Sequence, residues 1–181
     1  MRGDRIHIRA FKTEDAASLL TLQERNREFF RRFMTTRAPD FYTINAQRRN
    51  IERDEKGRRD GNWYSFGIFL NETGGLIGTV ALTEVMRGPL QSCFIGYCID
   101  RDHNGNGYAT EAVKLAVSFG FEELKLARIE AGVMPHNTAS MRVLEKCGFV
   151  KEGVARKSVE IDGIRQDHQM LAILADDELP T

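Results

Sequence analysis

What this 181-residue chain lacks narrows its reading first. It has no excess of either charge: 26 basic and 26 acidic side chains cancel to a formal net charge of zero. A nucleic-acid-binding domain ordinarily carries a basic excess, so that class gains no support and no nucleic acid is expected as partner. Cysteine is scarce. Cys93, Cys98 and Cys147 are odd in number and form no CxxC pair, which argues against a disulfide framework and against a zinc site. No bound metal is expected. Cys93 and Cys98 sit in an apolar run and read as small buried side chains. Long apolar stretches are also missing: no window approaches the roughly 18 residues a membrane helix needs. The opening Met1 to Phe11 is charged and alternating, unlike a secretory leader. The expected setting is a reducing cytoplasm.

What is present suits one α/β domain. Hydrophobic residues make up 41% and charged residues 29%, enough apolar surface for a core without staples. Ile6, Ile8 and Ala10 alternate with polar neighbours and predict an opening strand. Thr13 before Glu14 and Asp15 reads as an N-cap, with a helix running to about Phe30. Phe29, Phe30, Phe33 and Met34 form an apolar cluster that reads as core by default, with acceptor groove and dimer surface as the alternatives. Thr43 predicts the cap of a second helix, ended by Gly61. That helix is polar nearly all round and arginine-rich, as a solvated face is, although some arginines could meet an acidic partner or the substrate. From Trp63 the texture turns β-rich, with strands expected to Leu70, over Leu76–Val85 and over Ser92–Ile99. Helical spacing returns over Tyr108–Leu124 and Thr138–Lys146, around a buried strand at Arg128–Met134. Asp162-Gly163 marks the turn of a closing hairpin. The expected fold is a single α/β domain over residues 1–175 with a mixed sheet, followed by a short acidic tail, 176–181.

The chemistry-bearing run follows the strand that ends at Ile99. Asn104-Gly105-Asn106-Gly107-Tyr108-Ala109-Thr110-Glu111 puts a glycine-rich turn directly before a helix. Backbone N–H groups there point one way, with the positive end of the helix dipole behind them, which suits a pyrophosphate. Gly105 and Gly107 remove side chains where a phosphate must come close. The spacing fails G-x-G-x-x-G, because Thr110 stands at the sixth place, and no Walker Lys-Ser/Thr pair follows. Nicotinamide and ATP readings lose ground accordingly. Further on come Met134-Pro135-His136-Asn137-Thr138-Ala139-Ser140 and then Leu144-Glu145-Lys146-Cys147-Gly148-Phe149.

With the Gly105–Ala112 run and the N-x-x-S-x-x-x-L-E-K-x-G-F run from Asn137 to Phe149, joined by one helix and one strand, the chain resembles the GNAT N-acetyltransferase superfamily. The resemblance is to its RimJ/RimL-like branch, which includes ribosomal-protein N-terminal acetyltransferases. It implies a mixed, mostly antiparallel sheet whose central strand pair splays apart to admit acetyl-CoA as co-substrate. Coenzyme A pyrophosphate would rest on backbone N–H groups of Asn104, Gly105, Asn106, Gly107, Tyr108 and Ala109, with Thr110 completing the loop. Pantetheine would pair with the strand edge at Cys98 and Ile99, and Asn137 would hydrogen-bond the pantetheine arm, which is compatible with a cap. The resemblance also implies direct attack by a primary amine in a ternary complex, without an acetyl-enzyme, so Cys98 and Cys147 are not nucleophiles.

Two departures from the family pattern matter. Asn104 stands where Arg or Gln is frequent, which weakens electrostatics but leaves backbone donors. Leu144 stands where many members carry a thiolate-protonating tyrosine, which moves that role to Ser140 unless Ser140 merely bonds its own helix. Glu84 is the first choice for general base, ahead of Glu130 and His168, while Glu111 reads as structural beside a helix N-terminus. The acceptor expected first is a protein or peptide N-terminal α-amine. A polyamine, amino acid or aminoglycoside is the alternative, as is a non-catalytic acyl-CoA sensor. A homodimer is left open.

Overall fold

The computed structural model describes residues 1–177; positions 178–181 of the expected acidic tail lie outside the described residues. Seven strands form one sheet: β1 (Ile6–Arg9), β2 (Trp63–Leu70), β3 (Leu76–Met86), β4 (Ser92–Ile99), β5 (Arg128–Val133), β6 (Val150–Ile161) and β7 (Ile164–Leu174). Their spatial order is β1-β2-β3-β4-β5-β7-β6. Every neighbouring pair is antiparallel except β4 with β5. Five helices accompany them: α1 (Ala16–Arg25), α2 (Arg27–Arg31), α3 (Ile44–Arg59), α4 (Tyr108–Glu122) and α5 (Thr138–Lys146).

Sequence periodicity explains why α4 lies flat on the sheet. Ala112, Val113, Ala116 and Val117 recur on one face and are buried in the main core that also holds Leu82 and Ile129. Small residues on that stripe let the helix approach closely, so truncating one of the large partners leaves a void and costs about 2–5 kcal/mol. A second, smaller core joins α1 to α3 through Ala16, Leu19, Leu22 and Ile51. The helices α1 and α3 also pack on β3 and β2 respectively.

Two local expectations change. The helix expected from Thr13 to Phe30 begins as a 3-10 turn over Thr13–Asp15, with Lys12 at its cap, and breaks at Asn26. Asn26 is buried, donates through Nδ2 to the Leu22 carbonyl at 3.0 Å and accepts the Arg101 N–H on Oδ1 at 2.9 Å. Its side chain thus ties the helix to the segment after β4, and the backbone there leaves helical geometry (φ −105°, ψ 7°). The second expectation concerns α3. Thr43 caps it by accepting the Ala46 N–H at 3.2 Å, but the helix is not solvated all round. Ala46, Gln47 and Ile51 are buried. Arg58 donates to the Ser65 carbonyl and lies over the rings of Tyr64 and Phe66.

The feature that matters most is a failure of pairing. β4 and β5 pair only from Ser92 to Phe94 against Arg128 to Glu130. Beyond Phe94 the two strands diverge, while β4 keeps its ladder to β3 as far as Ile99. A strand edge with unpaired backbone groups is thereby left inside the molecule rather than at its rim.

Candidate active site

A cleft of about 870 Å³ opens where β4 and β5 part. Its walls come from both halves of the chain. Cys98, Ile99, Asn104, Gly105, Gly107, Tyr108, Ala109 and Thr110 line one end together with Asn137 and Ser140. The loop, the α4 N-terminus and the start of α5, separated in sequence, are brought together as the motif order implied.

The loop is held from behind. Asp100 is buried and pairs with Arg25 and, at 2.8 Å, with His103 Nδ1. Burial alone would raise its carboxyl, but Asn26, His103 and Arg25 outweigh that and hold it below the ordinary carboxylate value. Asn104 and Asn106 turn their amides back onto loop carbonyls, Asp100 and Arg101 for the first, His103 and Asn104 for the second. Gly107 occupies the left-handed region at φ 79° and supplies the N-cap of α4. A side chain there would be strained. Gly105 is also left-handed (φ 80°), and a Cβ at that position would meet no atom within 4 Å. It fronts open cleft, as a close-approaching anion requires. Helix geometry leaves the N–H groups of Tyr108, Ala109 and Thr110 without intrahelical acceptors, and the first bond of this turn runs from Glu111 N–H to the Gly107 carbonyl at 3.1 Å. Glu111 itself accepts the N–H groups of Arg5 and Ile6 at 2.9 and 3.2 Å. It fastens β1 to α4, as the structural reading expects.

At the far side of the loop, Asn137 caps α5, its Oδ1 accepting the Ser140 N–H at 3.2 Å. Ser140 Oγ lies 2.8 Å from the hydroxyl of Tyr97, which also donates to the Ser140 carbonyl at 3.0 Å. Tyr97 escaped the sequence reading. The available signal was strand alternation in β4, which puts a phenol at the splayed edge beside the helix that carries Ser140. Burial pushes the Tyr97 hydroxyl well above its ordinary value, with Ser140 opposing, so it stays a protonated donor at neutral pH. Leu144 is fully buried in the core.

The cysteines divide. Cys93 is buried as expected, whereas Cys98 is only half-buried and lines the cleft, its Sγ 3.2 Å from Thr79 Oγ1. Burial pushes the thiols up, to about 12 for Cys93 and about 11 for Cys147, so neither forms thiolate at neutral pH.

Glu84, expected as the general base, is exposed, has a positive φ of 53° and stands at the bulge that breaks the β3–β4 register between Thr83 and Met86. It does not line the cleft and is not placed to reach an amine there. Glu130 also lies outside the lining and pairs with Arg128 at 3.4 Å. His168 does line the cleft, buried, with Nδ1 3.2 Å from Ser158 Oγ. Of the readings open for the aromatic cluster, the structure favours a groove over plain core: Phe29, Phe30, Phe33 and Met34 form a wall of the cleft, and Phe30 is the buried one of the four.

Comparison with known proteins bears on this geometry. Residues 5–150 match the acetyltransferase (GNAT) domain. The chain belongs to the GNAT acetyltransferase family. It is 51% identical to the probable N-acetyltransferase YjcK of Bacillus subtilis (strain 168) over 178 residues, 98% of each chain. It is 29% identical to the ribosomal protein uS5 alanine N-acetyltransferase of Escherichia coli (strain K12), covering 98% of this chain and 91% of that one. Among solved structures, the ribosomal-protein-S5-alanine acetyltransferase of Vibrio fischeri superposes with a TM-score of 0.92 at 27% identity, over 98% of this chain and 97% of that one. Mycobacterium smegmatis RimJ, solved with a coenzyme A disulfide, superposes with a TM-score of 0.90 at 28% identity, over 94% and 82% of the respective chains. The RimJ/RimL-like resemblance and the GNAT fold are thus established, and the enzyme class is N-acetyltransferase. Among the described residues no helix is long and apolar enough to cross a membrane.

Proposed function

We propose that this enzyme transfers the acetyl group of acetyl-CoA to a primary amine, with a protein or peptide N-terminal α-amine as the acceptor. The observation that carries the reading is the splayed β4 edge running into a glycine loop that fronts open space at the N-terminus of α4. Coenzyme A would lie along that edge at Cys98 and Ile99, its phosphates on the N–H groups from Asn104 to Ala109 with Thr110 behind them, and its pantetheine arm against Asn137. A helix N-terminus with free donors favours such an anion without a dedicated cation, which fits Asn104 at the loop's first position. The co-crystallised coenzyme A of the Mycobacterium smegmatis relative supports the assignment. A peptide acceptor is supported by the curated relative that acts on an alanine of a ribosomal protein and aligns over 98% of this chain.

The chain's own groups supply three elements of the reaction. A backbone N–H near Ile99 polarises the thioester carbonyl as the amine attacks. The Tyr97–Ser140 hydroxyl pair donates a proton to the departing sulfur, Ser140 from its Oγ and Tyr97 as the hydrogen-bonded reserve behind it. Burial holds the Cys98 thiol at the cleft above its ordinary value, as it does Cys93 and Cys147 in the core, and disfavours a thiolate nucleophile, so attack is direct.

Acceptor-dependent thiol release from acetyl-CoA tests this. An alanine-initiated peptide is expected to release thiol in proportion to its concentration, while its N-acetylated twin releases none. Faster release with a polyamine or free amino acid would overturn the peptide assignment. Tight coenzyme A binding with no release for any amine would overturn the enzymatic reading in favour of a sensor.

A further inference from the structure

Asp54 lies on α3, in the stretch that reads from sequence as a polar helix, and it lines the same cleft from the side opposite the loop. Its Oδ1 and the Trp63 Nε1 are the two side-chain polar atoms, among the described residues, that are buried with no hydrogen-bond partner. One is an acceptor and the other a donor, and both belong to residues lining the cleft. Native proteins seldom leave buried polar groups unpaired, and those that do ordinarily reserve them for a ligand or water. Asp54 Oδ1 stands 3.8 Å from an Arg53 nitrogen, a loose ion contact.

Sheet register ties this recess to the reacting edge. Ser65, beside Asp54, is paired with Ala81, and Ala81 is paired with Gly96 of β4. All three line the cleft. Adjacent strands are about 4.8 Å apart, so Ser65 lies about 10 Å across the sheet from the splayed edge. That is the room an amine and one bridging water occupy between a carboxylate and a thioester carbonyl.

We propose that Asp54 is the acceptor-binding carboxylate, receiving the substrate's ammonium and taking up its proton through one water before attack. The proposal rests on the amine-acetylating reading above and assigns it a site. The proton leaves the ammonium nitrogen for the Asp54 carboxylate, and the freed lone pair attacks the carbonyl carbon. The C–S bond breaks, the thiolate takes its proton from the Ser140–Tyr97 pair, and the second proton shed by the acylated nitrogen restores that pair. Once product leaves, Asp54 returns its proton to solvent. Burial raises the Asp54 carboxyl, opposed by Ser65, Arg53, Arg58 and Trp63. A carboxylate made more basic in this way is a better proton acceptor than an exposed one.

The test is calorimetric binding of two peptides to the coenzyme-A-loaded protein, in wild type and Asp54→Asn. One peptide starts with alanine and the other with its desamino counterpart, propionyl, which keeps the shape but has no ammonium. Wild type is expected to bind the ammonium form about tenfold or more tightly, the factor a single partly desolvated charge contact supplies. Asp54→Asn is expected to lose that preference while binding the desamino peptide as wild type does, which shows the variant is folded. In parallel, kcat for thiol release is expected to fall about a hundredfold in the variant, with Asp54→Glu recovering part of it. Equal affinity for the two peptides in wild type, or an undiminished preference in Asp54→Asn, overturns the proposal. Ammonium preference without thiol release would leave Asp54 in place and overturn the peptide-acetylating reading instead.

Discussion

At the β4–α4 end of the cleft the groups that face a ligand belong to the backbone, whereas at the α3–β2 end they are side-chain atoms. Backbone donors need only two left-handed glycines and a helix N-terminus, and Gly105, Gly107 and Tyr108 are consecutive or nearly so in sequence. The opposite end needs Asp54 from a helix, Trp63 and Ser65 from a strand, and an aromatic wall from Phe29 to Met34. A site of the first kind holds one invariant ligand shape, because backbone geometry cannot be retuned residue by residue. A site of the second kind can change its acceptor by single substitutions while the fold stays as it is.

The largest effect expected from breaking this division is at Gly107. Gly107→Val puts a β-branched side chain at φ 79°, within 3.0 Å of an Arg5 nitrogen, and disturbs the first N–H groups of α4. Coenzyme A affinity, measured by calorimetry, is expected to fall about a hundredfold, equivalent to about 2.8 kcal/mol, with the sheet intact by circular dichroism. Next comes Ser140→Ala, which removes the hydroxyl bonded to Tyr97 but leaves the Asn137 cap. Here kcat is expected to drop about tenfold to a hundredfold while coenzyme A affinity holds. An unchanged kcat would return Ser140 to a plain helix hydroxyl.

The smallest effect concerns the anchor behind the loop. Asp100 has a folded-state pKa held below its ordinary value of 3.8. Its ionised form therefore stabilises the fold at pH above that value, and the contribution is lost as pH falls through the lower, folded-state value. Asp100→Asn is expected to reduce stability near neutrality by about 2 kcal/mol, since hydrogen bonds to a charged partner are lost. The gap between variant and wild type should close in acid. A gap that stays constant in urea melts at low pH would show that Asp100 acts by shape and not by charge.

Much of this architecture could be read from the chain because its signals are local. Period-two runs marked β2, β3 and β4, small-residue spacing marked α4, and Asp162-Gly163 marked the β6–β7 turn, where both residues have positive φ. The loop end of the cleft was legible for the same reason: loop, cap and helix follow one another. Asn26 was not, because it breaks α1 from α2 by bonding Arg101, which is distant in sequence. Asp54 was hidden by a helix whose composition looks solvated. Its signal was the polar stripe Gln47, Asn50 and Asp54 at helical spacing, all lining the cleft, but only the fold shows which face of α3 that stripe occupies. Glu84 misled because a carboxylate at a strand end looks available, and the β3 bulge carries it to the exterior.

The separability of the two ends is tested most directly by titrating coenzyme A and the alanine-initiated peptide, with its desamino twin, onto Gly107→Val and Asp54→Asn in one calorimetric series, holding coenzyme A at saturation for the peptides. The account predicts a crossover: Gly107→Val loses coenzyme A affinity and keeps the ammonium preference, while Asp54→Asn keeps coenzyme A affinity and loses the preference. Loss of both properties in either variant would contradict it.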